Sequence, residues 1–294
     1  MTGKTAMTVS PNTRRPRVSP LRYPGGKGAL YSRLRKLIRD SDLAGCTYVE
    51  PYAGGAGAGL SLLATGQVER VVINDLDPAI HAFWELLVND PDGLMREIET
   101  VKLNVREWKR QRQIYMAADP SDLASLGFAT FYLNRTNHSG VLNGGPIGGL
   151  DQGGKYKIDA RFNRDALVER VRILALYASQ ISVSSLDGVD VIRSYGKAKN
   201  TFIYADPPYF EKAGSLYLNA FSPDDHERLA KTLNGLAKGS WLLTYDNVPQ
   251  VPDLYSERRR RTFGLHYSAH RVTKATEIAV LSDAVADVGE GWPR

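Results

Sequence analysis

The chain has 294 residues, of which 43% are hydrophobic and 24% are charged, ordinary proportions for a globular protein. Its one cysteine excludes an internal disulfide and a thiolate-cluster metal site, so we expect no metal and a reducing, cytoplasmic environment. No stretch approaches the roughly 18 apolar residues of a membrane span. The 38 Lys and Arg residues exceed the 32 Asp and Glu residues, and this excess suits a polyanionic partner without proving one.

The N-terminal segment carries Arg14, Arg15 and Arg17 among Ser, Thr and Pro. It lacks the apolar centre of a secretory signal. We therefore interpret residues 1–19 as a disordered basic arm that precedes the folded part of the chain.

Short runs rich in β-branched residues alternate with helical patterns through most of the chain. Runs that end in acidic or turn residues are typical of buried parallel strands, and they are Thr47–Tyr52, Arg70–Asp75, Ile181–Leu186, Thr201–Asp206 and Ser240–Asp246. Two later runs, Arg261–His266 and Glu277–Ser282, are expected to close the sheet antiparallel. The alternation predicts an α/β fold with a Rossmann-like, doubly wound, mostly parallel sheet.

Residues 79–165 interrupt this alternation. Four segments there have a helical period and no convincing strand: Ile80–Val88, Gly93–Leu103, Val105–Ala118 and Asp122–Arg135. A Gly-rich stretch, Ser139–Gly154, follows them. We expect residues 79–165 to form a mainly helical insertion that ends in a mobile Gly-rich loop. Residues 20–78 and 166–286 would then form a single α/β domain around it.

A Gly-rich turn follows the first predicted strand and opens an apolar helix. Gly54, Gly55 and Gly57 let the backbone turn tightly and approach a ligand closely. The second strand ends at Asp75, about 20 residues later, where an acid can accept hydrogen bonds from ribose hydroxyls. The pair fits a dinucleotide or an S-adenosylmethionine site, and Glu50, followed by proline, favours the latter. The alternative is a structural turn beside an Asp that ends a strand.

The motif Asp-Pro-Pro-Tyr ends the fourth predicted strand. An adenine amino group is a poor nucleophile because its lone pair is delocalised, and acceptors around its hydrogens would stabilise the positive charge that develops during transfer. The carboxylate of Asp206 and the carbonyl of Pro207 are such acceptors, and Pro208 fixes the turn. Tyr209 can stack on a base that has left its helix. The alternative is an ordinary strand-to-turn transition, in which prolines are common.

These motifs resemble those of the Dam-like DNA adenine-N6 methyltransferases, the D12 class, in the order of the alpha group. The resemblance extends from about Leu21 to Ser282. It implies site-specific transfer of a methyl group from S-adenosylmethionine to the N6 amino group of adenine in double-stranded DNA, with base flipping. It also implies that residues 20–78 and 166–286 bind the cofactor and that residues 79–165 recognise the target.

The same resemblance implies roles for individual residues. Leu21–Lys27 is similar to the N-terminal cofactor motif, so Tyr23 and Lys27 would contact the cofactor, Lys27 near its methionine carboxylate. Tyr and Pro stand here where the Dam enzymes commonly have Trp and Ala. Asp75 would bind the ribose, and Asp206 also belongs to the cofactor set. Asp187 is a candidate for the cofactor's adenine amino group, with a turn-forming Asp-Gly pair as the equal alternative.

Several basic and amide side chains are candidates for contact with DNA. They are Asn134, Arg135, Asn137, His138, Lys155, Arg258 and Arg259. The first four lie at a predicted helix end beside the Gly-rich loop and suit base edges and phosphates, although helix capping would also explain them. Arg258 and Arg259 belong to a run of four charges that contacts phosphates or stays solvated. The loop departs from the better-known Dam enzymes, so a GATC preference cannot be carried over.

Two other functions fit parts of the pattern. A related S-adenosylmethionine-dependent amino-methyltransferase would act on RNA or protein, and such enzymes often carry Asn-Pro-Pro-Tyr motifs. A catalytically dead subunit would only bind DNA or a partner. With both motifs intact, we expect a stand-alone methyltransferase of a bacterium or phage, either an orphan or one that acts beside a separate restriction endonuclease without a stable complex.

Overall fold

The computed structural model describes residues 17–22, 30–210, 221–267 and 273–287. Within these ranges seven strands form one sheet in the order β3-β2-β1-β4-β5-β7-β6. Their bounds are β1 Cys46–Glu50, β2 Val68–Asn74, β3 Ile181–Ser184, β4 Thr201–Ala205, β5 Ser240–Asp246, β6 Arg259–Tyr267 and β7 Thr273–Leu281. Most of residues 1–19, interpreted from the sequence as an arm, lies outside the described ranges.

The sheet is mixed, as predicted. Neighbouring strands from β3 to β5 pair in parallel, whereas β7 pairs antiparallel with both β5 and β6. The parallel strands are continuous apolar runs because helices cover both faces of the sheet. Asp246 at the end of β5 lies opposite Glu277 on β7, so the antiparallel pair brings a late acidic residue to the edge where the parallel strands end.

Helices occupy the segments between most strands. Their bounds are α1 Tyr31–Asp40, α2 Gly57–Ala64, α3 Pro78–Asn89, α4 Pro91–Thr100, α5 Val105–Ala117, α6 Leu123–Thr136, α7 Arg164–Ala175, α8 Gly188–Tyr195, α9 Pro223–Asn234 and α10 Gln250–Leu254. Ser222 begins α9 with a reciprocal capping box to Asp225, which satisfies two otherwise orphaned backbone donors. No helix within the described ranges is both long and apolar enough to cross a membrane.

Helices α3 to α6 lie between β2 and β3 in the chain, where the sequence predicts the insertion. Gly127 lets α6 pack closely on α3, because a Cβ atom at this position would lie 2.4 Å from the carbonyl oxygen of Ala82. Phe83 of α3 and Phe131 of α6 stack with ring centroids 5.9 Å apart. They share one apolar core with Tyr48 and other residues of the sheet. That residues 79–165 act as a separate recognition domain stays a prediction.

The carboxyl ends of β1, β2 and β3 are tied together by one buried side chain. Asn74, the last residue of β2, donates through Nδ2 to the carbonyls of Pro51 and Leu186. Its Oδ1 accepts hydrogen bonds from Ser184 Oγ and from the backbone of Leu186. Ligands of doubly wound sheets bind at this edge, and Asn74 therefore fixes the loops around the candidate site.

Candidate active site

The Gly-rich turn between β1 and α2 has a left-handed backbone at Gly54 (φ 47°) and at Ala56 (φ 45°). Side chains hold both the backbone N–H and the backbone carbonyl of Gly54. Its N–H donates to Asp75 Oδ2 at 2.8 Å, and its carbonyl accepts from Trp84 Nε1 at 2.9 Å. The carbonyl of Gly55 accepts from Ser19 Oγ. The turn is therefore fixed by contacts from three separate segments of the chain.

Asp75 follows β2 and is partly buried. Besides the Gly54 amide, it accepts a 3.0 Å hydrogen bond at Oδ1 from the backbone of Asp77. Burial raises the pKa of Asp75 to about 6. A carboxylate offers about four acceptor positions, so these two bonds leave acceptor capacity for ligand hydroxyls. Such hydroxyls would favour the charged form and offset the cost of burial.

Glu50 at the end of β1 lies underneath the turn. It is 5% exposed and accepts a 3.1 Å hydrogen bond from the backbone of Gly59. Burial raises its pKa to about 8. A Cβ atom at position 59 would lie 2.9 Å from the ring of Tyr48, so only glycine lets α2 approach this closely. In this structure Glu50 supports the start of α2, and Gly57 is the first residue of that helix.

Asp187 follows the third strand and begins α8. Its Oδ1 accepts from the backbone of Val189 at 2.8 Å, and its Oδ2 pairs with Arg228 at 2.8 Å. The side chain thus caps α8, and its contact with the cofactor's adenine amino group stays a prediction. Beside the two acids, Leu76 is 50% exposed and Leu186 is 55% exposed. Two large apolar side chains at the ends of adjacent strands fit the faces of a planar ring. Tyr23 and Lys27 lie outside the described residues.

The Asp-Pro-Pro-Tyr motif begins directly after β4 at the same edge. Asp206 Oδ1 accepts a 2.9 Å hydrogen bond from Thr244 Oγ1 of β5, and this hydroxyl is also 2.8 Å from the hydroxyl of Tyr204. Pro207 is buried and Pro208 is partly buried. The Asp206 carboxylate is therefore oriented by a strand on the side opposite the cofactor turn, which suits an acceptor held in place before the reaction.

Tyr209 is held through its hydroxyl. The hydroxyl donates to Glu277 Oε1 at 2.6 Å and lies 3.4 Å from Asp206 Oδ1. Burial, Asp206 and Glu277 together raise the pKa of Tyr209 well above its ordinary value, so the hydroxyl keeps its proton. Sequence reasoning missed both Thr244 and Glu277 as site residues. The available signal was a polar residue, Thr244, inside the apolar run of β5, and an acid, Glu277, directly before the apolar run that ends β7.

Two of the candidate DNA contacts are interior residues. Asn134 is 1% exposed. Its side-chain oxygen accepts a hydrogen bond from the backbone N–H of Arg22, and its side-chain nitrogen donates to the carbonyls of Arg22 and Gly140. Asn137 is fully buried. It accepts from Trp108 Nε1 and donates to the carbonyls of residues 141 and 142. In this structure the hydrogen-bonding groups of both side chains hold the loop after α6, and their contact with base edges stays a prediction.

Arg135 lies in a cluster of like charges. It is 8% exposed, and burial, with Arg170, Arg22 and Arg161, lowers its pKa to about 9. Its Nε and one terminal nitrogen of Arg22 are buried without a hydrogen-bond partner among the described residues. Buried guanidinium groups are normally paired with an acceptor. This arginine cluster (Arg22, Arg135, Arg161 and Arg170) therefore has the character of an anion site.

The remaining candidates divide into exposed and internal side chains. His138 and Lys155 are exposed on the loop after α6. Arg258, by contrast, bonds Asn234 and Asp283 and has only 11% of its side chain exposed. Arg259 donates to the carbonyls of residues 282 and 285. In this structure these two arginines hold the end of the sheet together, and their contact with phosphates stays a prediction.

The chain is similar in sequence to one family of known proteins. Residues 23–275 match the D12 class N6 adenine-specific DNA methyltransferase family. The chain is 24% identical over 243 residues to the type II methyltransferase M.CviBI of Paramecium bursaria Chlorella virus NC1A, covering 80% of this chain and 85% of that protein. It is 25% identical over 234 residues to a DNA adenine methylase of Vibrio cholerae serotype O1, covering 74% of this chain and 76% of that protein.

Among solved structures, the rRNA methyltransferase AviRa of Streptomyces viridochromogenes aligns with a TM-score of 0.37 and 15% identity, over 86% of this chain and 84% of that chain. A similarity this distant says nothing about the substrate. The family match, in contrast, spans most of the chain and includes both the turn held by Asp75 and the Asp206 motif. The protein belongs to the D12 class of N6 adenine-specific DNA methyltransferases.

Proposed function

We propose that this methyltransferase binds S-adenosylmethionine between the Gly-rich turn and the end of β3, and methylates an adenine that is rotated out of double-stranded DNA. One observation supports this most strongly. Asp206, oriented by Thr244, lies at the same edge of the sheet as the turn that Asp75 fixes. A methyl donor and a base that enter this edge from opposite sides would meet in front of Asp206.

The residues at this edge fit the cofactor. Asp75 retains acceptor capacity for the ribose hydroxyls, and the exposed Leu76 and Leu186 suit the two faces of its adenine ring. Asp187 can accept from the adenine amino group only while it also caps α8 and pairs with Arg228. When bound, S-adenosylmethionine supplies an electrophilic methyl group. By family resemblance, Tyr23 and Lys27 complete the site.

The chain's own contribution to the reaction is electrostatic. Asp206 and the carbonyl of Pro207 accept hydrogen bonds from the target amino group, which localises its lone pair and stabilises the positive charge that forms on nitrogen. Tyr209 offers an aromatic face for the base. An amino group inside a duplex cannot reach Asp206, so the nucleotide has to be extruded first.

The arginine cluster supports DNA as the macromolecular substrate. Two of its guanidinium nitrogens have no hydrogen-bond partner among the described residues. Such donors suit the negatively charged oxygens of a phosphate, which arginine can bind in a bidentate manner. Desolvation and mutual repulsion disfavour these buried charges, and an arriving phosphate would relieve both. The exposed His138 and Lys155 on the neighbouring loop would extend this contact along the strand.

The test is methylation by the purified protein of duplex DNA, with the products read by sequencing of modified bases. We expect N6-methyladenine confined to one short sequence. Asp206→Ala should lose at least about 100-fold in transfer, the scale of one preorganised polar contact, while it still binds DNA. A near-normal rate in this variant would contradict the assigned mechanism. Preferential methylation of structured RNA or of a protein would support the alternative substrate.

A further inference from the structure

Glu277 is a buried acid beside the catalytic motif. It lies on β7 with 1% of its surface exposed, and it accepts the short hydrogen bond from the Tyr209 hydroxyl. Burying a carboxylate near another carboxylate, here Asp206, costs free energy that an apolar residue of the same size would not cost. Stability alone therefore does not explain an acid at this position.

The distances show how the Tyr209 hydroxyl is shared between the two acids. Its oxygen is 2.6 Å from Glu277 Oε1 and 3.4 Å from Asp206 Oδ1. A hydroxyl has one proton to donate, and the shorter distance gives that proton to Glu277. If Glu277 were absent, the nearest acceptor among the groups just named would be Asp206, which already accepts a hydrogen bond from Thr244.

We propose that Glu277 is a positioning residue for methyl transfer, which draws the Tyr209 hydroxyl away from Asp206 and fixes the ring of Tyr209 for the incoming base. This rests on the proposed function of Asp206 as acceptor for the adenine amino group. A second donor on Oδ1 would withdraw negative charge from that acceptor and weaken the stabilisation it gives in the transition state. Glu277 thereby preserves the acceptor strength of Asp206 without contacting the substrate.

A double-mutant cycle tests this coupling under single-turnover conditions. Glu277→Leu should slow transfer by roughly 10-fold to 100-fold, the scale of one hydrogen bond with a charged group, and leave the Kd for S-adenosylmethionine within about twofold. Replacing Tyr209 by Phe removes the competing hydroxyl. The double variant should therefore match Tyr209→Phe within about threefold, since coupled residues show non-additive effects.

Several outcomes separate positioning from a structural role. Ser282→Ala is the matched control, since Ser282 is also buried and bonds the backbone of Trp241 next to the far end of β7, and its transfer rate should stay normal. Glu277→Gln keeps the shape of the side chain and an oxygen that can accept from the Tyr209 hydroxyl, so it should retain more activity than Glu277→Leu. It also replaces Glu277→Leu in the test if that variant does not fold. Additive losses in the cycle, or full activity of Glu277→Leu, would overturn the inference. An inactive wild type would instead contradict the proposed function.

Discussion

The indole of Trp84 donates a hydrogen bond of 2.9 Å to the carbonyl of Gly54. Trp84 is fully buried on α3, the first helix after β2, whereas Gly54 lies in the turn that we assign to the cofactor. The helical segment between β2 and β3 is thereby connected directly to the cofactor turn. This buried contact is a direct route by which a change in one would be expected to affect the other.

Trp84→Phe should weaken S-adenosylmethionine binding and lower the free energy of unfolding, each by about 1–3 kcal/mol, because it leaves a buried carbonyl unsatisfied. Titration calorimetry and chemical denaturation measure the two effects. Trp108→Phe is the matched control, since the indole of Trp108 donates to Asn137 away from the turn. This control should lose stability without losing cofactor affinity. Equal cofactor affinities in the wild type and Trp84→Phe would show that the turn does not depend on this contact.

Asp75→Ala should weaken cofactor binding by about 1–3 kcal/mol, through lost hydrogen bonds from the ribose and a loosened Gly54 amide. Asp90→Ala provides the comparison, because Asp90 caps α4 through the backbone of Gly93 and lies in no assigned site. The two variants can be matched for stability by denaturation and then compared by calorimetry. Unchanged affinity in Asp75→Ala would remove this residue from the site.

Glu50 should make stability depend on pH in a defined direction. Its pKa is raised from 4.5 to about 8 by burial, so the folded protein binds more protons than the unfolded chain between these values. The wild type should therefore lose stability relative to Glu50→Gln as pH rises from 4.5 to 8, by up to about 1.4 kcal/mol per pH unit. The titration of Asp75 affects the free energy of unfolding of both proteins equally, so it cancels in their difference. Unfolding curves whose difference stays constant across this range would contradict the assignment.

Arg135→Met should reduce DNA affinity without reducing stability. The variant removes a buried charge that is surrounded by other arginines, and an apolar replacement of a buried ion is often neutral or stabilising. If Arg135 binds one phosphate, the slope of log affinity against log salt concentration should fall by about 1. Arg172→Met, which alters an exposed arginine paired with Glu169, should leave the slope unchanged. A normal slope in Arg135→Met would exclude the cluster from the DNA interface.

The sequence predicted the sheet and both motifs because each depends on local pattern. Apolar runs define strands, and glycines and prolines define turns, whatever the rest of the chain does. The internal hydrogen bonds of Asn134, Asn137 and Arg258 could not be predicted, because a polar side chain near a helix end or strand carries no local sign of whether it points inward. Their partners lie up to 112 residues away, as with Asn134 and Arg22. Glu277 was missed as a site residue for the same reason, since it reaches Tyr209 only through strand pairing.

Tyr209 should act through both its ring and its hydroxyl. The target adenine has to leave the duplex to reach Asp206, so 2-aminopurine at the target position should brighten when the wild type binds, less any quenching by stacking on Tyr209. Tyr209→Ala removes the stacking face and should lose more transfer than Tyr209→Phe or Tyr209→Trp. Because the hydroxyl is bonded to Glu277, Tyr209→Phe should still fall below the wild type by about 3-fold to 10-fold, the scale of one ordinary hydrogen bond.

The readouts for Tyr209 are fluorescence on binding and single-turnover transfer on the same duplex. Tighter binding to a mismatched target would add independent support for extrusion, since unpairing costs less there. Tyr245→Phe is the control for general disturbance, because the ring of Tyr245 lies 6.3 Å from that of Tyr209 and the substitution keeps this neighbouring ring. If Tyr209→Phe is as inactive as Tyr209→Ala while Tyr245→Phe is normal, the hydroxyl alone matters and stacking is excluded.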